Sequence, residues 1–246
     1  MKILFYSSEF WPSIGGRSIF AANLLSALSE RGHQIVVITL EKDSRQSAEC
    51  HYRDLLLYRV PFWSTFRDCK IDEWIAARKR VAGLKRGFEP DLIHIHGFDP
   101  SIVLFHLETA KVYSAPMLLT LTEEFPDQVM NSEFLGRTLR SADWITAKAA
   151  AVLSQARRNV PEITPRSSVV HNGIDRSSLS PNVPCFNAPK LLCLGRLTRQ
   201  KGFDVALGAL ATITGRFPTV RMMAESLREL SRWMCVVFRG NFLFRG

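Results

Sequence analysis

The sequence has no long hydrophobic run, and its cysteines are few and scattered. No apolar stretch approaches the roughly 20 residues that a helix needs to cross a bilayer. The N-terminus carries one lysine and four apolar residues, Ile3 to Tyr6, before two serines, which is too short for the core of a signal peptide. The five cysteines form no C-x-x-C pair. Reduced thiols in a cytoplasmic protein are therefore the expectation.

The sequence also lacks the signs of a nucleic-acid-binding protein. No aromatic residues interleave with the basic ones, and no zinc-finger or recognition-helix pattern is present. Nucleic acid is therefore not expected as a partner, despite the net charge of +9. The densest basic cluster, residues 78–86, lies in a predicted helix around Trp74. A solvated helix face is our first interpretation of this cluster, and contact with the headgroups of an anionic membrane is the second.

What the chain does contain is an alternation of apolar runs and amphipathic patterns. With 246 residues, 46% of them hydrophobic and 22% charged, it is typical of a globular protein with one large domain or two modest ones. Continuous apolar runs are typical of parallel strands, and their alternation with helical patterns predicts an α/β fold. The predicted strands of the first part of the chain are residues 2–8, 33–40, 54–61, 91–97, 116–122 and 142–147.

The loop after the first strand contains a glycine pair, Gly15-Gly16. It does not match G-x-G-x-x-G, so the fingerprint of a dinucleotide site is absent. The next helix is predicted to begin with Ser18 as its N-cap and to end at Gly32 in a left-handed conformation. Its apolar face is predicted to consist of Phe20, Leu24, Ala27 and Leu28.

The strand at residues 91–97 carries two histidines, His94 and His96. Both point to the same side of the sheet, because side chains alternate along a strand. Ligands of open α/β sheets bind beyond the carboxyl ends of the strands, so His96 is predicted to lie nearer a cleft than His94. A metal would need a third ligand, and none is evident. A packed or hydrogen-bonded histidine and a ligand contact in the cleft remain the two alternatives.

A pattern typical of a phosphate-binding site lies near the C-terminal end of the sequence. Residues 191–194 form an apolar run that ends at Gly195, and a helical pattern follows. A strand, a tight turn and a helix N-terminus suit a phosphate, to which Arg196 offers a planar fork of donors and Lys201 a mobile point charge. A surface loop with two solvated cations is the alternative. The apolar face of the helix is predicted to contain Ala206, Ala209, Leu210 and Ile213.

Four motifs, in order along the chain, resemble those of family 4 glycosyltransferases with the GT-B fold. They are P-x-x-G-G from Pro12 with R-G-H from Arg31 (R-G-H-x-V in the family), P-D-h-h-H-x-H from Pro90, V-x-x-N-G-I-D from Val169, and G-R-L-x-x-x-K-G-x-D from Gly195. The resemblance implies a Rossmann-like N-terminal domain with a parallel sheet at residues 1–176 and a linker at 177–189. It implies that residues 190–246 begin a second Rossmann-like domain, which binds the nucleotide sugar.

The resemblance also implies an activity. Family members transfer a sugar from a nucleotide-diphosphate-sugar donor to a hydroxyl group of an acceptor, here expected to be a glycan or lipid-linked, with retention of configuration. The nucleotide sugar is then a co-substrate, and no metal or other cofactor is expected. A cytoplasmic enzyme is implied, with peripheral contact at the inner face of an anionic membrane as one setting.

The resemblance assigns roles to residues of both domains. It implies that Arg196 and Lys201 hold the donor diphosphate, and that His96 lines the acceptor side. The glycine pair would let the backbone approach the donor phosphates and the acceptor. Substrate contacts are expected from Gly15, Gly16, Thr122, Glu123, Glu124, Asn172 and Gly173.

The chain departs from its relatives at the end of the fifth strand. Many members carry T-x-H there, whereas this chain has Thr120-Leu121-Thr122. A hydroxyl cannot replace an imidazole that orients an acceptor or carries a proton at neutral pH. We therefore expect that Glu123 or Glu124 takes over this task, or that the activity is altered.

The predicted second domain also departs from the family pattern. Residues 190–246 number 57, whereas a Rossmann-like domain has on the order of 150. The E-x7-E pair that grips the donor in relatives has no counterpart there, so a truncation or a frameshift is the expectation. Two alternatives to an active transferase stay open: an inactive remnant or binding module, and a nucleotide-sugar epimerase on the same fold.

Overall fold

The computed structural model describes residues 1–13, 15–41, 47–61, 68, 70–173, 189–195 and 198–226. The chain forms two compact units, Met1–Ile174 and Asp175–Gly246. Of the predicted linker, only residue 189 is among the described residues, so the linker stays a prediction. None of the described helices combines the length and the apolar character that a bilayer crossing requires.

The first unit is built on one mostly parallel sheet. Its eight strands are β1 (Lys2–Ser7), β2 (Gln34–Leu40), β3 (Glu49–Tyr52), β4 (Leu55–Val60), β5 (Leu92–His96), β6 (Met117–Leu121), β7 (Trp144–Ala147) and β8 (Ser167–Val169). Their order in the sheet is β3-β4-β2-β1-β5-β6-β7-β8. Neighbours are parallel except for the antiparallel pair β3 and β4. The carboxyl ends of the parallel strands therefore share one edge of the sheet.

In the described part of this unit, six helices connect the strands, as parallel strands require. They are α1 (Gly16–Ser29), α2 (Ile71–Phe88), α3 (Pro100–Glu108), α4 (Asp127–Met130), α5 (Glu133–Ser141) and α6 (Ala150–Asn159). Residues Ala110–Val112 and Pro161–Arg166 form short 3-10 helices. Helix α3 ends at Glu108 and is followed by the first of these 3-10 helices. The Thr109 hydroxyl donates a hydrogen bond to the Phe105 carbonyl (2.7 Å) at this break.

Side chains that alternate along β1 fill two different cores. Phe5 is completely buried in a smaller core with Ala21 and Leu25 of α1. Leu4 and Tyr6, on the opposite face, enter a larger core formed with helices α2, α3, α5 and α6. Because both faces are covered, the strands can be apolar throughout. The predicted parallel α/β fold is confirmed, and each predicted strand lies within two residues of its observed bounds.

The edge strand β3 was not predicted. It is short, and Glu49 and His51 are exposed, so its sequence has no apolar run. Only Cys50 and Tyr52 pack against the smaller core. Antiparallel pairing with β4, rather than a local hydrophobic pattern, makes these residues a strand.

The N-cap of α1 lies three residues earlier than predicted, so Ser18 is not the N-cap. Gly15 is the N-cap, and the Ser18 hydroxyl donates a hydrogen bond back to the Gly15 carbonyl (3.0 Å). The predicted apolar face was only partly right: Leu28 packs against the smaller core, but the centre of the buried face is formed by other residues. The buried residues are Ser18, Ala21, Ala22 and Leu25, whereas Phe20, Leu24, Ala27 and Leu28 are half-buried.

The predicted end of α1 is confirmed. Gly32 has a φ of +81°, in the left-handed region that favours glycine. The backbone N–H of His33 donates to the Leu28 carbonyl (3.2 Å), which closes the helix and turns the chain into β2.

The second unit contains a strand-helix-strand arrangement in its described part, and the first strand and the helix were predicted. Strand β9 (Lys190–Gly195) pairs in parallel with β10 (Arg221–Ser226), and α7 (Phe203–Ile213) connects them. Leu210 is the buried residue of α7, with Ala206 and Leu207 packed beside it. Two of the four residues predicted for the apolar face of α7, Ala209 and Ile213, are exposed, so that prediction was half wrong.

One lysine of the basic cluster in α2 is buried, contrary to the predicted solvated face. Lys85 has no exposed surface, and its ammonium donates a hydrogen bond to the His106 carbonyl at the end of α3 (3.2 Å). Its Nζ also lies 3.4 Å from His106 Nδ1. No carboxylate among the described residues lies within ion-pair distance of it. Burial lowers the pKa of Lys85 to about 8, because desolvation penalises the charged form.

We expect Lys85→Met to change the pH dependence of stability. The pKa of Lys85 is lower in the folded chain, about 8 against an ordinary 10.5, so the unfolded state binds more protons between these values. The free energy of unfolding of the wild type should therefore rise with pH across this window, by up to about 1.4 kcal/mol per pH unit from this group. Urea titrations at pH 7.5 and 9.5 measure it.

The matched control is Lys79→Met, which changes an exposed lysine on the same helix. In Lys79→Met the free energy of unfolding should rise with pH as much as in the wild type, whereas in Lys85→Met it should rise less. Equal pH dependence of the two variants would contradict the burial cost assigned to Lys85.

Candidate active site at the carboxyl ends of the strands

The central strands of the first unit end side by side. Ser7 at the end of β1 lies opposite His96 at the end of β5, and His96 lies opposite Thr120 in β6. Leu121 is in turn opposite Ala147 at the end of β7. Segments that follow these strands are therefore neighbours, and this edge is where ligands of open α/β sheets bind.

His96 lies between two aromatic rings. Phe5 of β1 stacks on one side, with ring centroids 5.6 Å apart, and Phe20 of α1 stacks on the other, at 5.4 Å. The side chain is only 1% exposed, and neither ring nitrogen has a hydrogen-bond partner among the described residues. Buried polar atoms without partners are costly and uncommon, so a ligand is a natural partner for this imidazole.

His94 has a different environment, although it points to the same side of the sheet. Its Nε2 lies 2.8 Å from Thr120 Oγ1, and that oxygen lies 2.7 Å from Thr146 Oγ1. A chain of hydrogen bonds thus crosses β5, β6 and β7. Burial lowers the pKa of His94 to about 4, which keeps it neutral. His94 is therefore a structural residue, and of the two histidines His96 is the one with free hydrogen-bonding capacity.

Two cations lie close to His96. Arg17 comes from the first turn of α1, and Lys148 directly follows β7. The Lys148 ammonium lies 4.2 Å from the centroid of the Phe20 ring, on which His96 is stacked. Burial lowers the pKa of His96 to about 2, with the charges of Lys148, His94 and Arg17 acting in the same direction. His96 is therefore a neutral imidazole at physiological pH.

The surroundings of His96 also shift the pKa of Lys148. Burial, and then the charge of Arg17, lower its pKa to about 8, while Glu123 acts in the opposite direction. Arg17 is itself within 3.5 Å of a Glu9 oxygen and 3.4 Å of a Glu123 oxygen. Because these pairs are partly exposed and long, each contributes little stability.

Gly97 leaves a small space beside His96. A Cβ atom at this position would lie 3.4 Å from Thr122 Oγ1 and 3.6 Å from Arg17 Nη1. The φ of Gly97 is +80°, which also favours glycine. The Thr122 hydroxyl is buried and has no partner among the described residues. Arg17 and Thr122 thus both lie within van der Waals distance of the Cβ position of residue 97, which follows His96 in the chain.

The predicted substrate-contact residues are not all brought together. Gly15 and Gly16 begin α1, and no atom of the described residues lies within 4 Å of a Cβ placed on Gly16, so the space above this helix N-terminus is open there. Thr122 and Glu123 lie beside Arg17, but within the described ranges no hydrogen bond or ion pair joins Glu124 to this group. Asn172 and Gly173 are exposed, and the adjacent His171 contacts the Lys148 carbonyl at 3.1 Å.

Sequence reasoning missed three residues of this site: Arg17, Phe20 and Lys148. Arg17 directly follows the predicted glycine pair, so its position beside a motif was the available signal. Phe20 and Lys148 carried no such signal, because only the fold brings them to His96.

The second unit contains the residues that were predicted to bind a phosphate. The side chain of Lys201 extends over Gly195, with its Cγ 3.6 Å from the Cβ position of that glycine. Gly202, with a φ of +65°, is the N-cap of α7, so Lys201 lies directly before the helix N-terminus. Lys201 is exposed. Arg196 lies outside the described residues, and its role stays a prediction.

The fold of this chain is similar to that of glycosyltransferases of known structure. It matches the sucrose-phosphate synthase of Thermosynechococcus elongatus with a TM-score of 0.67, at 15% identity over 91% of this chain and 61% of that one. It matches HepE of Anabaena, in complex with UDP-glucose, with a TM-score of 0.60, at 16% identity over 91% of this chain and 60% of that one. The fold class is therefore that of the GT-B glycosyltransferases.

The family model of Glycosyltransferase Family 4 matches residues 14–178, and the chain belongs to this family. The chain is also 23% identical to a Homo sapiens protein, one of the subunits of phosphatidylinositol N-acetylglucosaminyltransferase, over 259 residues, which cover 93% of this chain and 50% of that protein. It thus spans about half the length of this relative. The predicted family is confirmed.

We expect the His96 ring to stay neutral from pH 8 to pH 5. Its pKa is lowered to about 2, so protonation lies below this range. The ring ¹⁵N chemical shifts, assigned by their loss in His96→Asn, measure the protonation state. Since an unfolded histidine has a pKa near 6.5, the unfolded state binds more protons below that value, and acid should destabilise the fold.

The His96→Asn variant should lose less stability than the wild type as the pH falls from 7 to 5. The upper limit of the difference is about 1.4 kcal/mol per pH unit. Imidazolium shifts for His96 above pH 5 would show that the ring is not held neutral.

Proposed function

We propose that the protein transfers a sugar from a nucleotide-diphosphate-sugar donor to a hydroxyl group of a glycan or lipid-linked acceptor, with retention at the anomeric carbon. The position of Lys201 beside Gly195 and before the N-terminus of α7 carries this proposal. A nucleotide-sugar donor is supported by the HepE structure, which holds UDP-glucose. A lipid-linked acceptor is supported by the name of the human relative, which belongs to a phosphatidylinositol N-acetylglucosaminyltransferase.

Lys201 has the properties that a leaving diphosphate requires. Glycosyl transfer breaks the bond between the anomeric carbon and the diphosphate, so negative charge develops on the departing oxygen. A lysine ammonium and the N–H groups of a helix N-terminus stabilise such charge more in the transition state than in the ground state. Gly195 leaves room for the stem of Lys201, which fixes the direction from which the ammonium approaches. Arg196 would add a planar fork of donors.

His96 suits an acceptor-binding role better than proton transfer. With a pKa lowered to about 2, it is a weak base and is not protonated near pH 7. A neutral imidazole can still donate one hydrogen bond and accept another. The unpartnered ring nitrogens could therefore orient a hydroxyl group of the acceptor, while the leaving diphosphate or a carboxylate takes up its proton.

We expect Lys201→Met to weaken binding of UDP-glucose about tenfold or more, the effect of losing one charge-assisted hydrogen bond. The methionine keeps the apolar stem over Gly195 and removes only the charge. Calorimetric titration of the whole chain with UDP-glucose measures the change.

Lys111→Met is the matched control, because Lys111 is exposed on a 3-10 helix of the first unit. It should bind UDP-glucose like the wild type. If Lys201→Met binds as tightly as Lys111→Met, the proposed role of Lys201 is wrong. Loss of donor without an acceptor would instead identify an epimerase.

We expect Gly16→Leu to separate ligand binding from folding. A Cβ at Gly16 meets no described atom within 4 Å. The free energy of unfolding of the variant should therefore lie within about 0.5 kcal/mol of the wild-type value. The larger side chain would occupy the open space above the N-terminus of α1, so sugar transfer should fall. Urea titration and a radiolabelled-donor assay measure the two properties. Equal transfer by Gly16→Leu and the wild type would show that no substrate approaches this turn.

A further inference from the structure

We propose that Arg17, Lys148 and Thr122 form a subsite for a phosphoryl group carried by the acceptor. The proposal rests on the proposed transfer function, because it assigns the acceptor side of the reaction to the first unit. It goes further in naming the charge that the acceptor carries and the residues that recognise it.

Three segments that are distant in sequence supply this subsite. Arg17 lies in the first turn of α1, Thr122 directly follows β6, and Lys148 directly follows β7. Arg17 Nη1 and Thr122 Oγ1 lie 3.6 and 3.4 Å from the place that a Cβ atom of residue 97 would take. A guanidinium and a hydroxyl that lie this close together can bind two oxygens of the same anion.

Two buried groups lack partners at this place, and they indicate a ligand independently of the cations. Thr122 Oγ1 and both nitrogens of His96 are buried without a hydrogen bond among the described residues. A phosphate ester offers acceptors to the threonine hydroxyl and to one imidazole N–H. The hydroxyl group of the same acceptor molecule could donate to the other imidazole nitrogen.

The charges favour an anion over a neutral sugar. The Lys148 ammonium lies over the Phe20 ring and has no carboxylate within ion-pair distance in the part of the chain that the structure describes. Glu9 and Glu123 do contact Arg17, but at 3.5 and 3.4 Å in partly exposed pairs. Such pairs contribute little, so a phosphate that accepts two hydrogen bonds from the guanidinium can displace them.

The acceptor is a better source of this phosphate than the donor. In the proposed function, Lys201 and Arg196 of the second unit already hold the donor diphosphate, whereas Arg17 and Lys148 have no such assignment.

Calorimetric titrations of the whole chain with sn-glycerol 3-phosphate, glycerol and UDP test the proposal. The wild type should bind glycerol 3-phosphate but not glycerol. Arg17→Gln and Lys148→Met should each weaken glycerol 3-phosphate binding at least about tenfold, the effect of one charge-assisted hydrogen bond. Both variants should bind UDP within about twofold of the wild type. Thr122→Val replaces the hydroxyl by a methyl group of nearly equal volume, and it should also weaken glycerol 3-phosphate binding.

Arg86→Gln and Lys79→Met are the matched controls, because both residues are exposed on α2. They should bind all ligands like the wild type, and thermal unfolding confirms that every variant is folded. The proposal is overturned if the wild type does not bind glycerol 3-phosphate, or if the controls weaken it equally. It is also overturned if UDP binding falls in parallel in the Arg17 and Lys148 variants, since the subsite would then serve the donor.

The two proposals fail in different ways. If Lys201→Met binds UDP normally while Arg17→Gln loses glycerol 3-phosphate, the donor role of Lys201 is wrong and the subsite stands. If Lys201→Met loses UDP while Arg17→Gln and Lys148→Met bind glycerol 3-phosphate normally, the donor site stands and the subsite is wrong.

Discussion

The candidate site depends on the parallel register of β1 with its two neighbours. Ser7 lies opposite Thr39 of β2 and His96 of β5, so strands far apart in sequence end at one edge. A slip of one residue in β5 would exchange its two faces and move His96 into the larger core. Phe5 is buried on one face of β1 and Tyr6 on the other, and this burial holds the register.

The same register determines the chemistry of His96. It places the imidazole against Phe5, and α1 adds Phe20 from the other side. Between two rings and near two cations, the charged form of the imidazole is strongly disfavoured, so its pKa falls to about 2. A histidine at the end of a strand can suggest a proton carrier, but here the surroundings favour a neutral hydrogen-bonding group.

The departure from the family at Thr122 has a structural context. In this chain Thr122 and Arg17 both lie within 4 Å of the Cβ position of Gly97, and Lys148 lies near by. A small hydroxyl beside a glycine, with cations on the surrounding segments, is suited to an anion rather than to proton transfer. Glu123, one of the two carboxylates expected to replace the missing histidine, is instead paired with Arg17.

The sequence by itself determined the α/β class, the strand positions, the family and the glycine turns, because apolar runs, Gly32 and the motifs are local properties of the chain. The tertiary structure alone decided which histidine is hydrogen-bonded, which face of α1 is buried, and that Lys85 lies in the core. It also decided that Arg17 and Lys148 meet beside His96. These outcomes depend on packing and desolvation by residues distant in sequence, which no local pattern encodes.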